Sequence, residues 1–173
     1  GISFRLIGEA VSISGAKALA KQDRFQFELW ALGLVGARPT TKKKGADKGI
    51  DGRLYFHDEK RGKTKQIVIS VKSGHVSVAH VRDLRGVIER EEAQIGVLIT
   101  LQEPTRPMTS EAASAGFYDS PGWGRRYPRL QIITVSALLQ GAQIQYPART
   151  NATFKQAPRA DPQAPDIRKL SGV

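Results

Sequence analysis

The chain contains no cysteine, which removes disulfides, zinc-thiolate sites and thiol nucleophiles together. No apolar run approaches the roughly 18 to 20 residues that span a bilayer, and no basic amphipathic helix stands out as a membrane-surface element. Gly1-Ile2-Ser3-Phe4-Arg5 has neither the long apolar core of a signal peptide nor an initiator Met. The expectation is therefore a cytoplasmic location, nucleoid-associated in a bacterium, and a chain cut from a longer protein. Acidic side chains are scarce as well: 16 Asp and Glu face 27 Lys and Arg, giving a net charge of +11 and a pI near 10.2. That excess suits a polyanion partner such as DNA. The three histidines, His57, His75 and His80, lack the spacing of a metal cluster. No Asn/Asp-Pro-Pro-aromatic motif and no glycine-rich loop after a strand is found, so adenosylmethionine-dependent methylation is not expected within this chain. What remains, 40% hydrophobic and 25% charged residues over 173 positions, is ordinary for one globular core.

The most informative residue is Lys72, at the end of the strand-like run Gln66-Ile67-Val68-Ile69-Ser70-Val71-Lys72. An ammonium in an apolar strand is costly unless it meets an anion or water. Period-2 alternation puts Val68, Ser70 and Lys72 on one face and Ile67, Ile69 and Val71 on the other. In the preceding run, Asp51, Arg53, Tyr55 and His57 oppose Leu54 and Phe56, with a turn expected at Lys60-Arg61-Gly62-Lys63. Two paired strands then carry Asp51 and Lys72 at one end, an arrangement suited to a phosphate and a metal.

These residues resemble the PD-(D/E)xK nuclease superfamily, in particular its Mrr-type branch. The text from Asp23 to Ala31, through Lys44-Gly45-Ala46-Asp47-Lys48-Gly49-Ile50-Asp51-Gly52, to Val71-Lys72-Ser73-Gly74-His75-Val76 is similar to the nuclease-like C-terminal region of bacterial site-specific DNA methyltransferases. The resemblance implies an α/β, restriction endonuclease-like fold, a mixed β-sheet flanked by helices. It also implies Asp51 and Lys72 as catalytic residues, with Mg²⁺ or Mn²⁺ held by Asp51 and the Val71 carbonyl. Where the superfamily places Glu, Asp or Gln two residues before the lysine, this chain has Ser70. A hydroxyl brings no charge to a hard cation. Glu28 is either the accessory acid of a first helix or the partner of a nearby Arg or Lys; Glu89 and Glu92 are further candidates to supply the missing acid.

The rest of the chain reads as alternating helices and strands around one core, with residues 1–14 a linker or upstream remnant, 15–147 the domain and 148–173 a flexible, proline-containing tail. A largely buried helix is expected from Asp23 to Val35, stopped by Gly36. A second follows the cap Ser77, with Arg85 and Glu89 as an i,i+4 pair and His75 hydrogen-bonding at the turn before it. Ala93–Thr100 and Leu130–Val135 read as strands, Pro107 opens a helix, and Ser136 caps a short one. The basic loop Lys42, Lys43, Lys44 with Lys48 is either a solvated charge run or a phosphate-contacting lip. The aromatic and basic segment from Phe117 to Pro128, holding Trp123, Arg125 and Arg126, is either a nucleic-acid grip or a loop anchored on the core by its rings.

Two functions follow as expectations. One is a Mg²⁺-dependent DNA endonuclease domain of a restriction-modification protein, cutting double-stranded DNA as a homodimer or in two copies. The other is a catalytically inactive DNA-binding module that serves an upstream methyltransferase domain.

Overall fold

The computed structural model describes residues 12–41, 49–58, 62–122 and 124–147. The assignments made above for 1–11, for Lys42, Lys43, Lys44 and Lys48, for Lys60 and Arg61, for Trp123 and for the tail from 148 lie outside those residues. The central strand β3 (Lys65–Lys72) is β-branched at Ile67, Val68, Ile69 and Val71 and buried on both faces from Ile67 to Val71. Such a strand belongs inside a sheet with layers on either side. It pairs antiparallel with β2 (Gly52–Phe56) and parallel with β4 (Ile95–Thr100), which pairs parallel with β7 (Leu130–Thr134). With the two-residue β1 (Arg38–Pro39) on the other edge, the sheet order is β1-β2-β3-β4-β7.

Each face is closed by helices. On the side of Ile67, Ile69 and Val71 lie α1 (Ile13–Gln22) and α2 (Arg24–Leu34), contributing Ala16, Leu19, Phe27, Ala31 and Leu32. On the side of Val68 lie α3 (Val78–Arg90) and α4 (Arg106–Ser114), contributing Val81, Leu84, Val87, Ile88, Met108 and Ala112. The short α5 (Val135–Leu139) follows β7. Gly96 lets α3 approach β4, because a Cβ there would stand 2.5 Å from the Ile88 Cδ1 atom. No helix among the described residues is long and apolar enough to cross a membrane.

The expected helix at 23–35 is α2, with Asp23 accepting from the Gln26 N–H (3.1 Å) and Gly36 beyond its end at φ +70°. It is less buried than expected, since Phe25 and Leu34 are exposed. The helix before it was not anticipated. Its apolar content is mostly alanine, and it starts at Ser12, whose hydroxyl accepts from the Gly15 N–H, so a helix crosses the boundary drawn at residue 14. Other local assignments change partner. Thr134 rather than Ser136 caps α5, accepting from the Ala137 N–H (3.0 Å). At the start of α3 the turn bond runs from the Ser77 N–H to Nδ1 of His80 (3.1 Å), while His75 is exposed. Arg85 reaches not Glu89 but Glu111 on α4 (3.0 Å), beside Arg82 (2.9 Å).

The segment after α4 is a hairpin of its own, β5 (Phe117–Asp119) with β6 (Arg126–Pro128). Asp58, buried at the end of β2, accepts from the hydroxyls of Tyr118 and Ser120. Tyr118 also meets Phe56 edge-on, so the ring anchors the hairpin to the core. A side chain at Gly122 would overlap the Asp58 carbonyl.

The Arg82–Glu111–Arg85 clamp between α3 and α4 carries a pH signature. The hydrogen bond from Arg82, above the smaller contributions of Ser114 and Arg85, holds the Glu111 carboxyl below its ordinary value of 4.5. A carboxylate with a depressed folded pKa stabilises above the unfolded value, and that share is lost as pH falls through the folded one. Denaturant melts of the parent from pH 6 to pH 3 should lose stability below about 4.5, and Glu111→Gln should show a shallower loss over the same window.

Candidate functional site

Asp51 stands immediately before β2, at the end of the sheet where β3 finishes with Lys72. Ile50 packs beneath α3, whereas Gly52 faces Leu32 of α2. Residues two apart therefore point to opposite faces, and the regular pleat is broken at Asp51. The carboxylate between them is turned toward the plane of the sheet, and its Oδ2 accepts the backbone N–H of Val71 (2.7 Å). The Asp51 backbone is tied from both sides: its N–H donates to the Ile69 carbonyl (2.8 Å), and its carbonyl accepts from the Thr40 N–H (3.0 Å). Thr40 Oγ1 also donates to the Ile50 carbonyl (2.8 Å), tying the residue after β1 to the residue before Asp51.

Ser70 is buried and Lys72 half-buried, on the face of Val68. The structure thus brings Asp51, Ser70, Val71 and Lys72 together at one end of adjacent strands. Thr100 is the register partner of Lys72 on β4; it is fully buried, and its hydroxyl has no hydrogen-bond partner among the described residues. No ion pair is formed by Lys72 within the described residues.

The other candidates are dispersed. Glu28 is buried on α2, the helix over the opposite face of β3, and faces Arg24 one turn back at 3.8 Å. Glu89 and Glu92 lie where α3 ends and β4 begins, because α3 returns the chain from the finish of β3 to the start of β4. That is the far end of the sheet, seven residue steps along β3 or roughly 23 Å away at about 3.3 Å per residue. Arg125 and Arg126 belong to the same far end, since their hairpin leads into the start of β7 and is fastened to Asp58. Arg126 is already engaged there, paired with Asp119 (2.9 Å) and lying over the Phe117 ring (5.0 Å to its centre). Asp58 was not singled out from sequence, because a lone acid after a strand carries no local signal of the hairpin it will hold.

These residues do not fit a hydrolytic Mg²⁺ centre. Such a cation is held by carboxylates, carbonyls and waters. Here the strand position beside Asp51 carries neutral Ser70, one oxygen of Asp51 is taken by an amide, and among the described residues no group of three His, Asp or Glu side chains is placed to hold a metal ion.

A mixed five-stranded sheet with helices on both faces, and an Asp and a Lys at one end of its antiparallel pair, defines a restriction endonuclease-like domain. The fold is shared with the MspJI restriction endonuclease, solved in complex with a 27-mer oligonucleotide: TM-score 0.54, 19% identity, 76% of this chain and 30% of that one. It is shared equally with the DNA modification-dependent restriction endonuclease AspBHI: TM-score 0.54, 19% identity, 78% of this chain and 34% of that one. This chain spans about a third of either enzyme. No curated protein sequence matches it. Residues 25–140 match a family model, and the chain belongs to that family, NACHT-associated inactive Restriction Endonuclease 1.

The bond from Val71 makes Asp51 a structural residue whatever else it does. Asp51→Ala should cost about 1–3 kcal/mol by leaving that amide without its acceptor. Asp51→Asn, which retains a carbonyl oxygen, should cost clearly less. Urea melts of the two variants beside the parent check this, and equal loss in both would assign the effect to the charge instead.

Proposed function

We propose that this domain is a non-catalytic DNA-binding module that keeps the nuclease fold and positions a larger protein on double-stranded DNA. The observation that carries the reading is Ser70: the strand position that needs an acid is neutral and buried, beside an Asp51 already committed to an amide. The inactivity in the family's name supports it. Lys72 then serves as a phosphate contact rather than as a catalytic group. The excess of positive charge over the whole chain supplies the non-specific part of the affinity, with Lys42, Lys43, Lys44 and Lys48, which precede Asp51 in the sequence, as its principal donors. Arg125 and Arg126, at the far end of the sheet, would touch separate phosphates.

The partner domain is read from the family's description as a NACHT module; the methyltransferase linkage suggested by sequence resemblance is the alternative. A binding module has no need of a homodimer, which belongs to the competing reading. In that reading the domain is a Mg²⁺- or Mn²⁺-dependent endonuclease, with Asp51, Val71 and Glu28 as ligands. A bacterial cytoplasmic, nucleoid-associated setting suits either reading.

One experiment separates them. The chain should bind duplex DNA with a slope of log affinity against log salt of about −0.9 per phosphate neutralised. Lys42→Ala, Lys43→Ala and Lys44→Ala together should flatten that slope by roughly 2 to 3, and no nicks should accumulate with Mg²⁺ or Mn²⁺ on methylated or unmethylated plasmid. Metal-dependent nicking by the parent that disappears in both Asp51→Asn and Lys72→Ala would replace this reading with the nuclease one.

A further inference from the structure

Among the described residues, Thr100 Oγ1 is the one buried side-chain polar atom without a hydrogen-bond partner. The residue ends β4 and is 0% exposed. Elsewhere the fold satisfies the polar groups it buries. Asp58 accepts from Tyr118 and Ser120, and the Gln131 amide both accepts from the Gln145 N–H (2.9 Å) and donates to the Gln145 carbonyl (2.7 Å). An orphan hydroxyl costs free energy, because the water it lost on folding has no replacement. Native folds leave few such groups, and valine would give the same shape without that cost.

The register shows which group can serve it. Thr100 lies beside Lys72 on β3 and Thr134 on β7, on the face of Val68 and Leu98, with neighbouring strands about 4.8 Å apart. The Thr134 oxygen is engaged, since it accepts from the Ala137 N–H (3.0 Å). Asp51 is turned into the plane of the sheet with Oδ2 on the Val71 amide. Ser70 is the partner of Leu98, further from the rim. Lys72 is half-buried, with three N–H donors on a four-carbon stem and no ion pair among the described residues. While water reaches the ammonium, it needs nothing from Thr100. A phosphate on Lys72 changes this, because it excludes water and engages the nitrogen from one side. The donor directed back toward the sheet then has Thr100 Oγ1 as the neighbouring acceptor.

We propose that Thr100 is a positioning residue for the phosphate contact: its hydroxyl accepts a hydrogen bond from the Lys72 ammonium when a duplex phosphate is bound, and so aims the other two N–H donors at the phosphate oxygens. The proposal rests on the reading of Lys72 as a phosphate contact and adds the group that orients it. The orphan hydroxyl destabilises the free chain and is satisfied in the complex. Folding stability and DNA affinity therefore pull in opposite directions at this one atom.

Thr100→Val and Thr100→Ser, each with and without Lys72→Ala, test it through thermal melts of the free chain and titration with a duplex oligonucleotide. Thr100→Val should melt no lower than the parent yet bind the duplex roughly tenfold more weakly, the equivalent of one hydrogen bond to a charged group. Thr100→Ser, which keeps the hydroxyl, should bind as the parent does. In the Lys72→Ala background Thr100→Val should have no further effect on affinity, since the group it acts through is gone. A Thr100→Val chain that melts below the parent would show the hydroxyl already bonded in the free chain. Unchanged affinity, or an effect that persists without Lys72, would place Thr100 outside the contact. Either result overturns the inference while leaving Lys72 in its role. Duplex affinity unchanged by Lys72→Ala alone would instead remove the phosphate reading of Lys72, and this inference with it.

Discussion

The double burial of β3 is the constraint on which the rest of this structure depends. A strand that presents Ile67, Ile69 and Val71 to one side and Val68 and Ser70 to the other cannot lie at a solvent face. Both sides must be covered by helices, and the neighbouring strand must be supplied by a crossover through one of them. The helix α3 provides that crossover, and Gly96 lets it sit close to β4. The consequence for function is positional. All three parallel strands finish at the same end, and β2 begins there, so Asp51, Lys72, Thr100 and Thr134 collect at one rim while everything on the turns before β4 and β7 collects at the other.

At the first rim, Asp51 and Lys72 stand at one end of adjacent strands with neutral Ser70 between them. Asp51 remains, but its Oδ2 closes the sheet where β2 starts by taking the Val71 amide. A carboxylate used this way stabilises the junction that a catalytic site would also need. Hence the residue has a structural role that does not depend on catalysis. Lys72 has no comparable structural task among the described residues, and contact with a polyanion is the use that a net charge of +11 makes natural.

The second rim is held by polar networks as well as by the apolar contact of Tyr118 with Phe56. Asp58 fastens the β5–β6 hairpin through Tyr118 and Ser120, and Arg53 joins β2 to the end of α3 through Gln66 and Glu91. Each network ties a strand to a neighbouring element.

What the sequence by itself determined is whatever depends on neighbours along the chain. The alternation from Ile67 to Lys72, the N-cap at Asp23, Gly36 after α2, Pro107 at the start of α4 and the opposition of Leu54 and Phe56 to Arg53 and Tyr55 are all local patterns. Each is set by backbone period or by capping chemistry. The pairing of Asp51 with Lys72 at one end of two strands was legible for the same reason, because a hairpin joins them. The helix α1 was legible only weakly, since Ala16 and Leu19 make a thin apolar stripe. Tertiary structure alone decided the rest: that Arg85 meets Glu111, that Glu28 rides the opposite face of β3, that Glu92 and Arg125 stand far from Lys72, and that Asp58 holds a hairpin 60 residues away. Charged and polar side chains reach across elements, and which one they meet depends on how layers stack, a property no local period encodes.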